Sequence, residues 1–264
     1  MPADYHLHTY LCKHAEGGVE EYIRSAWEKE ITEICFADHV PSPHGYDPSV
    51  RMEMDQFDEY RQLVYDASLN HDVKVLFGIE ADYYDGCEDF FKAWLPQQNF
   101  DLVIGSVHYI ENWGFDNPEV RHIWDTVDVV QAWNDYFNLV IKMARSGIYD
   151  IVGHIDLPKK FGYMPEFEKE KEMIAPVLDA IAEAGMGIEV NTSGLRREVR
   201  EIYPSTALLR MMRDRDIPIC FGSDAHRPQE VGESFNEAVK AATEAGYSEC
   251  LQMRQRTKHL VPIQ

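Results

Sequence analysis

Short apolar runs alternate with longer amphipathic segments along this chain. The runs at 4–8, 33–38, 73–80, 101–107, 150–154, 187–191 and 217–223 predict strands, and most read apolar on both faces. That is the pattern of a parallel sheet covered on both sides. Between them, segments near 18–29, 54–70, 87–96, 125–146, 168–184, 204–215 and 231–245 predict helices. In the second, Phe57, Tyr60, Val64 and Ala67 recur at helical spacing and define one buried stripe. The glycines in "SGIYD", "EAGMG" and "EAGYS" stand where helices should stop, and Pro204 suits a first helical turn. Seven βα units in succession, without linker or repeat, predict a parallel sheet. Seven units in 264 residues suggest a closed or nearly closed α/β barrel occupying 1–264 as one domain. An open doubly wound sheet is the alternative on the same alternation. The phosphate-cradling patterns GxGxxG and GxxxxGKS/T of nucleotide-binding sheets do not occur.

Charge narrows the partners. Lys and Arg number 25 against 46 Asp and Glu, a formal net charge of −21. Nonspecific binding to nucleic acid or to an anionic membrane is disfavoured, and no apolar run approaches the length of a membrane span. No signal peptide is visible. The five cysteines, Cys12, Cys35, Cys87, Cys220 and Cys250, form no CxxC pair. A reducing cytoplasm fits them best. An anionic substrate would need a local positive centre, from metal ions or from clustered Lys and Arg.

The histidines supply a candidate. In "DYHLHTYLCKHAEGG", His6 and His8 occupy alternate positions of the first strand and so share a face, and His14 follows in the loop. Asp38 and His39 end the second strand, Glu80 the third, His108 the fourth and His154 the fifth, while Asp224 and His226 follow the seventh. A lone buried imidazole is more often a hydrogen-bonded core residue than a ligand. Random placement, however, would not gather these residues at the C-terminal ends of six strands, where α/β barrels build active sites. The joint reading is a multinuclear metal centre. His14 is the least secure by spacing, and Asp38 can equally serve to orient His39. His44 lies in a loop near the same face, His71 and His122 read as surface residues, and His259 belongs to the C-terminal tail.

The segments "DYHLHT", "FADH", "GIEADY", "GSVHY", "GHIDLPKKFG", "NTSGLRR" and "GSDAHRP" resemble the polymerase and histidinol phosphatase (PHP) superfamily. The similarity is strongest to its histidinol-phosphate phosphatases and runs from residue 4 to about residue 240. It implies a distorted (β/α)7 TIM-like barrel and a trinuclear site. By position, His6, His8, Glu80 and Asp224 would hold one ion. Glu80, His108 and His154 would hold a second, and His14, His39 and His226 a third. Imidazole and carboxylate suit zinc, iron or manganese. The implied activity is hydrolysis of L-histidinol phosphate, a step of histidine biosynthesis. Another small phosphate ester, such as a nucleotide or sugar phosphate, is a second possibility, and a noncatalytic metal-binding accessory module a third.

The chemistry follows from the residues. Paired metals lower the pKa of a shared water, and a carboxylate such as Glu80 has two oxygens with which to bridge them. Asp224 and His226 are placed to pass a proton to the leaving group. Phosphate oxygens suit the planar fork of Arg. Arg196 and Arg197 follow the sixth strand, and Lys159 and Lys160 the fifth. Neighbours in an extended loop point apart, so one member of each pair should face phosphate. Arg196 and Lys160 are the choices, with Arg51 a weaker third. The long loop 109–125 is aromatic and acidic, and its Glu111, Trp113 and Asp116 are candidates for selecting an amine and an imidazole.

Overall fold

The computed structural model describes residues 2–42, 45–69 and 72–263. Seven parallel strands run in the order β1 (Asp4–Leu7), β2 (Glu33–Phe36), β3 (Lys74–Asp82), β4 (Leu102–Ser106), β7 (Ile151–Val152), β8 (Gly187–Asn191) and β9 (Ile219–Gly222). β1, β2, β4, β8 and β9 are buried at every residue, which is why their sequences show no alternation. Between the first strand and the last, the amide of His8 donates to the carbonyl of Ala225 at 3.0 Å, and that of Ala225 to the carbonyl of His6 at 3.2 Å. The sheet thus curls into a nearly closed barrel, not an open sheet.

Among the described residues, seven α-helices cover it: α1 (Val19–Glu28), α2 (Phe57–Ser68), α3 (Glu88–Trp94), α4 (Val129–Arg145), α5 (Phe167–Glu183), α6 (Thr206–Arg213) and α7 (Phe235–Glu244). Phe57, Tyr60, Val64 and Ala67 are the buried residues of α2, as their spacing predicts. The Tyr60 hydroxyl lies 2.8 Å from the carbonyl oxygens of both Phe36 and Gly78, tying the helix to β2 and β3. Ser205 caps α6 by accepting the Leu208 amide, so Pro204 precedes the cap instead of opening the first turn.

Two features depart from the sequence reading. Loop 109–125 is structured: a small hairpin of β5 (Tyr109–Ile110) and β6 (Trp113–Gly114) leads into a 3-10 helix over Pro118–Asp125. The C-terminal tail is a second hairpin, β10 (Glu249–Arg254) and β11 (Thr257–Pro262). It closes the end of the barrel opposite the histidines. Leu251 and Met253 are buried in a cluster with Tyr5, Leu76, Leu102 and Ile151. Charged pairs fix its edge: Arg254 meets Glu33 at the start of β2, and the Arg256 guanidinium lies 3.0 Å from Asp150, just before β7. Gly187 leaves room for this plug, since a Cβ there would sit 2.5 Å from the Leu251 side chain.

The plug therefore belongs to the core. Leu251→Ala should lower unfolding free energy by about 2–5 kcal/mol, the usual cost of emptying a buried leucine site. Leu260→Ala, on the exposed face of β11, should change it by about 0.5 kcal/mol or less. Denaturant titration of both variants checks this, and equal small effects would show that the plug is dispensable.

Candidate metal centre

Glu80 lies near the end of β3, and its two carboxylate oxygens divide a ring of imidazoles between them. Oε2 lies 2.8 Å from His39 Nδ1, 3.5 Å from His6 Nε2 and 3.8 Å from His8 Nε2. Oε1 lies 3.1 Å from His154 Nε2 and 3.7 Å from His108 Nε2. Asp224 Oδ1 approaches His8 Nε2 at 3.3 Å. The His226 ring stacks on His8 and His14 with centroids 4.1 and 4.5 Å apart. All nine residues singled out from sequence thus converge on one place. His6 and Glu80 lie within strands, His8, His39, His108, His154 and Asp224 follow within three residues of a strand's end, and His14 and His226 reach in from farther along their loops.

In five of the seven imidazoles, those of His6, His8, His14, His108 and His226, Nδ1 faces an oxygen. Nδ1 of His6 donates to Glu189 at 2.7 Å and Nδ1 of His108 to Asp82 at 3.0 Å. Nδ1 of His8 faces Asp38 at 3.4 Å. Backbone carbonyls take Nδ1 of His14 (Cys12, 2.8 Å) and of His226 (Asp224, 3.1 Å). Fixing the proton on Nδ1 leaves the Nε2 lone pair facing inward, which is how a protein prepares histidine for a metal. Among the described residues, His6 Nε2, His8 Nε2, His39 Nδ1, Glu80 Oε2, His154 Nδ1 and His226 Nε2 are buried without a hydrogen-bond partner. So many orphaned donors and acceptors would be costly in a core, and all but His154 Nδ1 fit a cation-binding role directly.

Electrostatics agree. Burial opposes the charge on Glu80, but His39, His6 and His108 outweigh it and hold the carboxyl well below its ordinary range. Burial also opposes a proton on His8 and His108, yet Asp224 and Asp38 lift the first to about 9, and Asp82 and Glu80 lift the second to about 10. Burial and His8 push His226 well down. Carboxylates that draw protons onto imidazoles when no ion is bound will draw a cation instead, with release of those protons.

Two of the residues in this cluster have strained backbones: His154 at φ +23° and Asp224 at φ +53°, both left-handed and neither glycine. Such conformations cost roughly 1–3 kcal/mol each and persist where the surroundings impose them. Cys12, absent from the sequence-derived set, has its sulfur within 4.8 Å of ligand atoms of His14 and His226. Burial pushes its thiol up.

A cavity of about 640 Å³ opens above the centre. Arg51, Lys160 and Arg197 line it, with Asp47, Asp116 and Glu119 among its acids. The adjacent basic residues diverge. Lys159 is buried, with Nζ 2.8 Å from Asp156 and 2.6 Å from Glu201, whereas Lys160 reaches Asp116 at 3.0 Å on the cavity wall. Arg197 faces the cavity, and Arg196 is not among its lining residues. The Arg196 guanidinium instead donates to the carbonyl of Ser223 at 2.7 Å and of Asp224 at 3.3 Å, and lies 3.4 Å from Glu233. Its donors are used inside the protein, which removes the reason for choosing it as the phosphate contact. Arg51 binds Asp82 at 2.9 Å and so backs His108.

Glu111 is exposed, and Trp113 packs edge-on to Trp124 at 4.7 Å, so of the three loop candidates only Asp116 lines the cavity. His122 and His259 are exposed, both outside the centre, as their sequence positions suggest. His44 and His71 lie outside the described residues. Sequence reasoning missed Glu189 and Asp82. Glu189 is an acid in the middle of the buried strand β8, and that misfit was the available signal, whereas Asp82 sits two residues after Glu80 at the end of β3. Gly222 belongs to the same arrangement: a Cβ there would lie 1.9 Å from Glu189 Oε1.

A parallel α/β barrel whose strand ends converge on seven imidazoles and two carboxylates is the architecture of a barrel metalloprotein. The chain belongs to the PHP family: the PHP domain model matches residues 4–193, and a PHP-associated model matches 209–246. It is 41% identical over 247 residues to a probable histidinol-phosphatase of Deinococcus radiodurans, covering 92% of this chain and 93% of that one. It is 28% identical over 257 residues to the histidinol-phosphatase of Bacillus subtilis, covering 88% and 96%. The crystal structure of histidinol phosphate phosphatase from Lactococcus lactis, complexed with zinc, L-histidinol and phosphate, shares the fold with a TM-score of 0.83 at 21% identity, covering 98% of each chain.

If Glu189 sets the basicity of His6, Glu189→Gln should weaken metal binding by about tenfold or more. Competition against a chromophoric chelator measures this, and an affinity equal to the parent's would leave Glu189 without that role.

Proposed function

We propose that this chain is a metal-dependent phosphomonoesterase that hydrolyses L-histidinol phosphate to L-histidinol and phosphate, serving histidine biosynthesis in the cytoplasm. The observation that carries the reading is a cavity in which Lys160 and Arg197 face the Glu80-centred cluster. The 41% identity to a probable histidinol-phosphatase supports the substrate.

The donor set fits three divalent transition ions, zinc, iron or manganese. His6, His8, Glu80 and Asp224 would hold one, Glu80, His108 and His154 a second, and His14, His39 and His226 a third. Bound there, such ions supply Lewis-acid polarisation of phosphoryl oxygens and a water acidic enough to attack at neutral pH. The chain's own residues do the rest. Arg197 offers phosphate its planar fork and Lys160 a point charge. They offset the −21 charge of the whole chain at the one place where an anion must enter. Asp116 holds Lys160 in position and, with Asp47 and Glu119, gives the cavity an anionic wall suited to the substrate's ammonium group. Asp224 and His226 are the proton carriers. Asp224 Oδ2 accepts from Ser193 Oγ at 3.1 Å, on the cavity side of the centre. No helix among the described residues is long and apolar enough to cross a membrane, and all five cysteines are free and buried, as a reducing compartment allows.

Steady-state assays on metal-loaded protein, comparing L-histidinol phosphate with nucleotide and sugar phosphates, test the substrate. We expect kcat/KM to favour histidinol phosphate by about 10²-fold or more, on the order of 3 kcal/mol. Arg197→Ala should cost about as much, chiefly in KM. Equal turnover of the three ester classes would point to a broader phosphoesterase. No turnover of any ester would leave a binding module.

A further inference from the structure

The loop after β9 carries two of the residues assigned to the metals, Asp224 and His226, on a backbone that is left-handed at Asp224. Such a turn needs an external grip, and three charged side chains supply one. From the loop after β8, Arg196 donates to the carbonyls of Ser223 and Asp224 at 2.7 and 3.3 Å. From the segment following the turn, Glu230 accepts the amide of His226 at 2.9 Å, and its other oxygen lies 3.7 Å from Arg196 Nε. From β1, buried Asp4 accepts the amide of Ser223 at 2.9 Å and the amide of Gly232 at 2.8 Å.

Carbonyls on one side of the turn and an amide on the other are thus held by Arg196 and Glu230, which pair with each other while Glu233 adds a second carboxylate 3.4 Å from the guanidinium. We propose that Arg196 and Glu230 clamp the Ser223–His226 turn in the conformation that presents Asp224 and His226 to the metals. Arg196 is then a positioning residue that governs metal retention, and it does not touch substrate. The two neighbouring arginines divide the work: Arg197 faces the cavity, while Arg196 braces the wall behind it.

The test loads the metal-free chain with zinc against a chromophoric chelator, then measures kcat and KM for histidinol phosphate. Arg196→Ala should retain at least one zinc about tenfold less tightly or worse. Its KM should stay within about twofold of the parent's, and excess zinc should restore its kcat. Arg196→Lys should recover part of the retention, because an ammonium can still reach the Ser223 carbonyl. Arg197→Ala should behave oppositely, keeping its zinc and losing KM. Zinc retention by Arg196→Ala equal to the parent's would overturn the clamp, whatever happens to KM. If Arg196→Ala does not fold, Glu230→Gln replaces it, since it keeps an acceptor for the His226 amide but loses the charge that pairs with Arg196. Parent-like zinc retention there overturns the clamp equally. The inference rests on the metal-centre reading, and the two fail differently. A parent chain that binds no zinc defeats that reading, whereas a zinc-binding parent with an indifferent Arg196→Ala defeats the clamp alone.

Discussion

One carboxylate organises this protein. Glu80 is buried at the mouth of the barrel with five imidazoles around its two oxygens. A buried carboxylate is costly unless positive charge meets it, and here the surrounding imidazoles can supply that charge by holding a proton or a cation. The barrel exists to make this possible. Only parallel strands ending at one level deliver His6, His8, Glu80, His108 and His154 to one point, and only closure between β1 and β9 places Asp224 beside His8.

Around that hub the protein spends charge in layers. Glu189, Asp38 and Asp82 hold the outer nitrogens of His6, His8 and His108. Arg51 neutralises Asp82 in turn. Outside these lie the grips on the turn after β9. Each layer restrains the one inside it, and the rigid ensemble faces a cavity whose Lys and Arg stand out against a strongly acidic chain. The opposite end of the barrel is sealed by the C-terminal hairpin, whose Leu251 and Met253 fill the floor.

Much of this was legible because strand residues two apart share a face and strand ends are marked by the change from apolar to polar. His6 and His8 show the first rule, Glu80, His108 and His154 the second. What could not be read has physical causes. Adjacent Arg196 and Arg197 look alike in sequence, and only the fold shows which guanidinium finds carbonyls inside the protein and which faces the cavity. Glu189 sits in the middle of "GIEVN", where burial hides its role until His6 arrives from another strand. The C-terminal hairpin alternates properly through Leu251 and Met253. However, its turn residues Gln255 and Arg256 adopt left-handed backbones without the Gly or Asn that normally announces such a turn. Trp113 read as a recognition residue because it lies in a long aromatic loop, but the loop folds on itself and spends that ring on packing.

The central claim is that Glu80 is shared between two ions and holds the centre together. Metal counting on the parent and on Glu80→Gln, paired with turnover of histidinol phosphate, addresses it most directly. The account predicts close to three ions per parent chain. It predicts the loss of about two of them in Glu80→Gln, with turnover lower by about 10²-fold or more, since a shared ligand serves both positions. A Glu80→Gln chain that keeps its full metal complement and turns over like the parent would contradict it.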